Sequence, residues 1–163
     1  MLLMAWRFIT IFLVALTTGL AFAHVLQMPA KMLYDATLYM TLQKTLYIAW
    51  GPAHIGGILE PAAIVSTLLL VVAVRRRRRA YWLSLGAVIA LLLAFPLVYF
   101  MLVEPVNKIF LETNVIPANW MQLRVDWETG HAIRFMLQFI ALGLLLLSVL
   151  LETGKKKFMG DDF

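Results

Sequence analysis

Residues 124–151 read RVDWETGHAIRFMLQFIALGLLLLSVLL, a polar start followed at once by an apolar run. The part from about Glu128 to Leu151 is long enough, as a helix, to cross a hydrocarbon core of about 30 Å. Segments 6–27, 50–74 and 81–103 have the same character. Strands are disfavoured, because an open sheet edge has no hydrogen-bond partner in lipid. The sequence predicts an all-α, four-transmembrane-helix bundle, one integral membrane domain over 1–163, with a loop at 104–127.

The composition also indicates a protein whose solvent is a bilayer. The chain is 63% hydrophobic and 14% charged, whereas soluble domains are nearer one half and one quarter. It has no cysteine, which excludes disulfides and thiolate metal sites. The net charge of +5 comes largely from basic runs beside apolar segments. The run Arg75–Arg79 could bind anionic lipid or nucleic acid, but a topology signal is the favoured interpretation, and no nucleic-acid partner is predicted.

The lysines and arginines that flank the spans predict the orientation of the chain. Nine lie on one side, namely Arg7, Arg75–Arg79 and Lys155–Lys157. Four lie on the other side, namely Lys31, Lys44, Lys108 and Arg124. The larger set places both termini and the arginine hairpin in the cytoplasm. The expected location is a bacterial inner (plasma) membrane.

The first span allows a second interpretation. Residues 1–23 have a basic start, an apolar middle and an Ala-Phe-Ala end, as a cleavable signal peptide does. Cleavage after Ala23 would make His24 a free N-terminus that could chelate copper through its amine and ring. An uncleaved first helix is the favoured alternative.

Polar side chains are concentrated in the half of the spans opposite the arginine run. They are His24, His54, Glu60, Glu104, Asn107, His131 and Arg134. The other half is nearly all Leu, Val, Ile and Ala, which argues against a transporter. Ionisable groups in a membrane need a partner or a wet cavity, so the sequence predicts a pocket toward the outer leaflet or periplasmic side.

Two residues carry most of this prediction. Arg134 belongs to a helical stripe, in which Trp120, Arg124, Trp127, His131, Arg134 and Gln138 recur every three or four residues. It needs a carboxylate, for which Glu60 and Glu104 are the candidates; the alternative is an arginine that snorkels to the interface. Glu60, in GPAHIGGILEPAA at 51–63, is interpreted as a base, a proton relay or a ligand-binding group, or else as a structural partner of Arg134.

A metal site is the weaker alternative. His24, His54, His131 and Glu60 could together hold iron, copper or zinc, and two of the histidines could hold haem. No two of them have the spacing of a helical metal motif. No metal or other cofactor is therefore predicted, with iron, copper or haem through the three histidines kept as the second choice.

Three short motifs suggest a family. GLAFAHVLQMPAKM ends the first span, EPVNKIF follows the third, and WETGHAIRFMLQF opens the fourth. In this order they resemble the anthrone-oxygenase-like family of small four-helix membrane proteins. The matching residues are Pro105, Val106 and Asn107, then Trp127, His131 and Arg134.

The resemblance implies an oxygenase that acts on a lipophilic aromatic or quinol in an outer-half pocket. Some members of the family oxidise an anthrone to an anthraquinone with dioxygen and without a cofactor. By this analogy Glu60 or His131 is the expected base, and Arg134 and Asn107 would hold the developing oxyanion. Trp127, His24 and His54 are the predicted substrate-binding residues, with the lipid bilayer and a lipophilic small molecule as partners. The alternatives are a non-enzymatic protein, such as a complex subunit, small transporter or homo-oligomer, and a metal or haem redox protein.

Overall fold

The prediction of an all-α bundle with four membrane-spanning helices is confirmed. The computed structural model describes residues 1–51 and 54–158, and the side chains of 1–51 and 54–152. Within those ranges there is no strand, and four helices are long and apolar enough to cross a membrane. They are α1 (Leu2–Lys31), α4 (Ile55–Ala73), the composite helix Arg78–Glu112, and α7 (Trp120–Phe158).

The four helices form a ring in which each contacts two neighbours. Helix α7 packs against α1 and against α5, the first part (Arg78–Leu92) of the composite helix, and α4 packs against the same two. Arg7 near the start of α1 pairs with Glu152 near the end of α7 at 2.8 Å, and Arg77 reaches the same carboxylate. We call this the arginine end. At the opposite, histidine end, the rings of His24 and His131 stack. Helices α1 and α7 are therefore antiparallel. The side chains of Lys155–Lys157 lie outside the described residues.

The connection between α1 and α4 folds into a helical cap over the histidine end. It comprises α2 (Ala36–Leu42), a π-helical turn (Gln43–Tyr47) and α3 (Ile48–Trp50), and residues 36–50 are called the cap below. Asp35 starts it by accepting a hydrogen bond from the Leu38 amide at 2.8 Å. A Cβ on Gly56 would lie 2.6 Å from the carbonyl oxygen of Trp50. Glycine there lets the cap close directly onto the start of α4.

The composite third span is longer than predicted. After α5 it continues as a π-helical stretch (Leu93–Val103) through Pro96 and then as α6 (Glu104–Glu112). Proline has no amide hydrogen for the regular helical bond, and the backbone widens around it instead of ending. The predicted loop at 104–127 is therefore wrong in extent. Pro105 lies in the first turn of α6, where no amide donor is needed, and only residues 113–119 separate α6 from α7.

The interior of the arginine end is mostly apolar, with Val14, Leu70, Ala87 and Leu145 at its centre. The expectation of a nearly pure hydrocarbon half is nevertheless incomplete. The Thr10 and Ser66 hydroxyls, from α1 and α4, lie 2.8 Å apart in full burial. Such hydroxyls are satisfied by each other and by helix carbonyls, so they join helices without needing water.

Candidate functional site

A cavity of about 360 Å³ opens at the histidine end, between α1, the cap, α4, the composite helix and α7. This volume lies in the range of small-molecule sites. Its wall is rich in aromatic rings: Tyr47, Trp50, Phe95, Tyr99, Phe110 and Trp127. Polar groups reach it from several helices, namely His24, Glu60, Glu104, Asn107, His131 and Arg134. The convergence that the sequence predicted is therefore present in the fold.

Two histidines form part of the cavity wall. The ring centroids of His24 and His131 are 4.0 Å apart, with 27° between the ring planes. Trp127 packs on both, at 4.2 Å from His131 and 5.0 Å from His24. Trp127 is only 2% exposed, so it is a fixed surface. Nδ1 of His24 is buried without a hydrogen-bond partner within the described residues.

Arg134 and Glu60 form a buried ion pair across the bundle, from α7 to α4. Nη1 of Arg134 also lies 3.3 Å from Nδ1 of His131. The Arg134 guanidinium lies 5.0 Å from the centroid of the Tyr99 ring. The side chain of Arg134 is 5% exposed and that of Glu60 is 12% exposed. Arg134 therefore does not snorkel, and of the two candidate partners it pairs with Glu60. The second Glu60 oxygen, Oε2, is buried with no hydrogen-bond partner among the described residues.

A chain of hydrogen bonds crosses the cavity wall beside this pair. Trp127 donates to Oδ1 of Asn107 at 2.8 Å, and the Asn107 amide donates to the Tyr99 hydroxyl at 3.2 Å. Tyr99 in turn donates to Glu104 at 2.5 Å. Asn107 therefore orients two aromatic residues of the wall. One of the two amide hydrogens of Asn107 is then left to donate a hydrogen bond to a ligand.

A second buried ion pair joins the end of α1 to α7 beneath the cap. Lys31 and Glu128 lie 2.7 Å apart, and each side chain is 2% exposed. The Tyr39 hydroxyl of the cap donates to Glu128 at 3.2 Å, and Nζ of Lys31 lies 4.7 Å from the centroid of the Trp127 ring. Burial, together with the Glu128 charge, raises the pKa of Tyr39 well above that of a free phenol, so this hydroxyl remains a donor. The ion pair therefore joins α1 to α7, and the Tyr39 hydrogen bond fastens the cap to it.

Arg124 of α7 makes a further contact with the chain just before the cap. Its guanidinium NH1 donates to the backbone carbonyl of Tyr34 at 2.9 Å and to that of Lys31 at 3.3 Å. It also lies 4.6 Å over the Trp120 ring. Lys31 and Arg124, which the sequence offers as orientation signals, are both buried. Each is therefore also a structural residue.

His54 does not join the site. It precedes the first turn of α4, is exposed, and is not among the residues that line the cavity. Its predicted place in the substrate-binding set is not supported by its position, because the turn before α4 holds it at the surface. The part of the chain that the structure describes contains no group of three or more His, Asp or Glu side chains arranged to hold a metal ion.

Sequence reasoning missed the contribution of the cap and of Tyr99. Gln43 and Tyr47 enter the cavity wall from the π-helical turn, and Trp50 from α3. A usable signal was present, since Tyr39, Gln43 and Tyr47 recur every four residues after a helix-capping Asp35. Tyr99 gave no such signal, because its direction depends on the π-helical stretch around Pro96.

Comparison of the chain with protein-family models, with curated proteins and with solved structures finds no match. The resemblance to anthrone-oxygenase-like proteins therefore stays a prediction from short motifs. The four apolar helices fit an integral membrane protein.

Proposed function

We propose that this chain is a membrane oxygenase that binds a neutral, flat, lipophilic aromatic in the cavity and oxidises it with dioxygen, without a cofactor. The observation that carries the proposal is the Glu60 carboxylate, which lines an aromatic-walled cavity and has one oxygen, Oε2, without a hydrogen-bond partner among the described residues. Such an oxygen can accept a proton or a hydrogen bond from a ligand. The motif resemblance supports the same reaction class.

The charges around the cavity favour a neutral ligand. Glu60 is balanced by Arg134, and at the rim Glu104 faces Lys108 at 3.9 Å. No excess positive charge therefore remains to hold a phosphate or carboxylate head group. Aromatic faces supply large apolar contact areas and stack on planar rings. A phenol, quinol or anthrone satisfies both requirements, because it is planar and carries hydroxyl or carbonyl groups at its edge.

The chemistry needs only a base, a cationic partner and an apolar slot. With an anthrone, Glu60 removes one proton from the methylene carbon. The negative charge of the carbanion delocalises onto the carbonyl oxygen of the anthrone, beside Arg134. The carbanion transfers electrons to dioxygen, and a carbon–oxygen bond forms. The resulting peroxide anion takes up a proton and then loses water, which leaves a second carbonyl. One dioxygen is consumed; one of its atoms enters the product and the other leaves as water.

The proposal is tested with purified protein in detergent micelles and a dihydroxyanthrone under air. We expect quinone formation and dioxygen uptake in equal amounts, with one labelled oxygen in the product when heavy-oxygen gas is used. Glu60→Gln should lower the rate by about 100-fold or more, whereas Glu112→Gln, on an exposed residue, should not change it.

Three outcomes would contradict the proposal. The wild-type rate could equal autoxidation in empty micelles. The Glu60→Gln variant could turn over as fast as the wild type. The rate could follow the iron or copper content measured by elemental analysis, which would restore the metal alternative.

We also infer the orientation of the bundle: the arginine end faces the cytoplasm, and the membrane is a bacterial inner membrane. Arg75–Arg79 are all exposed, in the turn after α4 and the first residues of α5, whereas Lys31 and Arg124 at the histidine end are neutralised or bonded internally. Free positive charge therefore favours the arginine end. Green fluorescent protein fused after Phe163 should fluoresce, and alkaline phosphatase fused there should be inactive; the reverse pattern would contradict the inference.

A further inference from the structure

The two ring nitrogens of His131 have different surroundings. Nδ1 lies 3.3 Å from NH1 of Arg134. An arginine side chain has only donors and stays protonated in proteins. Nδ1 must therefore be the acceptor in this contact, and the ring proton of a neutral His131 lies on Nε2. Among the described residues the His131 ring has one hydrogen bond, the contact at Nδ1, and none at Nε2.

From this we propose that His131 is the hydrogen-bond donor for the oxygen of the ligand, through Nε2–H, and is not the base. The proposal rests on the proposed function and refines it, since the sequence left Glu60 and His131 as alternative bases. Arg134 is then a positioning residue, which fixes the tautomer of His131 through Nδ1. His24 stacks on His131 from α1, while Glu60 of α4 and Tyr99 of the composite helix contact Arg134. Lys31 lies 4.7 Å from the centroid of the Trp127 ring, which packs on His131.

The arrangement separates the two tasks of the reaction. Arg134 lies between Glu60 and His131 and contacts both. On one side of it, the Glu60 carboxylate lines the cavity and is the group proposed to take the proton from carbon. On the other side, Nε2–H of His131 is available to bind the oxygen on which the charge develops. A neutral donor adds no charge to an apolar cavity, and a fixed donor stabilises an oxyanion without reorganisation.

A base role for His131 would work against its surroundings. A base must accept a proton and become an imidazolium. With Nε2 already protonated, the new proton would have to go to Nδ1, where it would face the Arg134 guanidinium. The Arg134 contact would then be lost, and two cations would lie side by side in a buried place. Glu60 meets no such obstacle, because its charge is opposite to that of Arg134.

Nitrogen NMR of protein labelled at its histidine nitrogens tests the tautomer without any substrate. The chain has three histidines, so the His24→Asn and His54→Asn variants assign the signals. We expect His131 to show a protonated Nε2 and an unprotonated Nδ1 at neutral pH. Arg134→Met should lose this pattern and give a mixture of tautomers. A protonated Nδ1 in the wild type, alone or together with Nε2, would overturn the assignment.

Two substitutions then test the donor role in the oxidation of the dihydroxyanthrone. The amide nitrogen of glutamine can replace Nε2 of histidine but cannot act as a base, whereas that of asparagine lies nearer the Nδ1 position. His131→Gln should retain activity within about tenfold of wild type, and His131→Asn should lose about 100-fold to 1,000-fold. With bound anthraquinone, the infrared carbonyl stretch should stay lowered in His131→Gln and rise in His131→Asn.

The results separate this proposal from the proposed function. If the wild type oxidises the anthrone and His131→Gln is as inactive as His131→Asn, the donor role is wrong and the oxygenase proposal stands. If the NMR pattern and the carbonyl shift are found but no anthrone is oxidised, the oxygenase proposal is wrong and the donor assignment stands.

Discussion

Two buried ion pairs share helix α7 but differ in what surrounds them. Glu128 and Arg134 lie less than two helical turns apart, and each has its partner on another helix, Lys31 and Glu60 respectively. Glu128 also accepts from Tyr39, and Lys31 is covered by the Trp127 ring. The Arg134–Glu60 pair lines a cavity, and one carboxylate oxygen has no protein partner among the described residues.

The difference is the reason for proposing a structural role for one pair and a functional role for the other. Both pairs are costly to bury, so burial alone does not identify a site. The Lys31–Glu128 pair is enclosed by the side chains of Tyr39 and Trp127. The Arg134–Glu60 pair lines a cavity, and Glu60 keeps one oxygen without a hydrogen-bond partner among the described residues. The functional proposal rests on this unused hydrogen-bonding capacity in a cavity-lining residue.

The same chemical change at both carboxylates tests this comparison, and the larger effect on stability is expected at Glu128. Glu128→Gln leaves Lys31 as a charge without a counterion in a place that water does not reach. The free energy of unfolding should fall by about 3–5 kcal/mol, as for other broken buried pairs. Thermal unfolding in detergent measures it, with Glu112→Gln as the exposed control. A loss below about 1 kcal/mol would show that the pair does not fasten the cap.

Glu60→Gln should cost less stability, about 1–3 kcal/mol, because water that enters the cavity can solvate Arg134. This variant should nevertheless lose anthrone oxidation while it remains folded, because the base is missing. Circular dichroism and thermal unfolding in the same detergent compare the two variants directly. If Glu60→Gln is destabilised as much as Glu128→Gln, both pairs are structural and the comparison fails.

Gly130 lies between the two ion pairs, where α7 packs tightly against the composite helix. A Cβ there would lie 2.8 Å from Cγ2 of Val103 and 3.2 Å from the Leu102 Cβ. Gly130→Ala should therefore destabilise the protein by about 1–3 kcal/mol through overpacking. Gly143 lies on the same helix with nothing within 4 Å of such a Cβ, so Gly143→Ala should stabilise it by up to about 1 kcal/mol. Equal shifts in the two melting temperatures would contradict this close approach.

The smallest effect concerns Tyr39 at high pH. Burial raises its pKa above the value near 10 of the unfolded chain. Below pH 10 both states are neutral, and above it only the unfolded phenol ionises, so stability falls as pH rises. Tyr39→Phe removes this dependence along with the hydrogen bond to Glu128. Its stability deficit relative to wild type should shrink by about 0.8 kcal/mol between neutral pH and half a unit above pH 10; a constant deficit would contradict a raised pKa.

Much of the fold was predictable because lipid imposes simple requirements. Apolar runs of sufficient length have to be helices, and a mid-membrane charge such as Arg134 has to find a partner. This reasoning placed Glu60 and His131 near Arg134, and the structure brings them together. It left two carboxylates as candidates, since the choice between Glu60 and Glu104 depends on how the helices face each other.

The features that were not predicted, namely the position of His54, the cap and α6, depend on backbone geometry that the pattern of polar residues does not contain. His54 and His24 look alike as histidines near the ends of spans, yet a turn before α4 holds one at the surface and a continuous helix carries the other into the cavity. The cap was not found because its buried face mixes tyrosines with Gln43, which lowers its apolar periodicity. Residues 104–112 were assigned to a loop because they follow the apolar run of the third span, whereas in the structure they form α6.

The π-helical stretch around Pro96 makes the facing of the cavity side chains less dependent on the exact length of the third span. An α-helix turns by about 100° per residue, and a wide turn accommodates one residue more than a regular one. Deleting a single exposed residue such as Leu97 would let the helix tighten, and the residues beyond it, including Tyr99, would keep their facing. The same deletion within the regular helix α5 would instead rotate everything beyond it by about that angle. The wide turns are thus where a change in length leaves Tyr99 directed at the cavity.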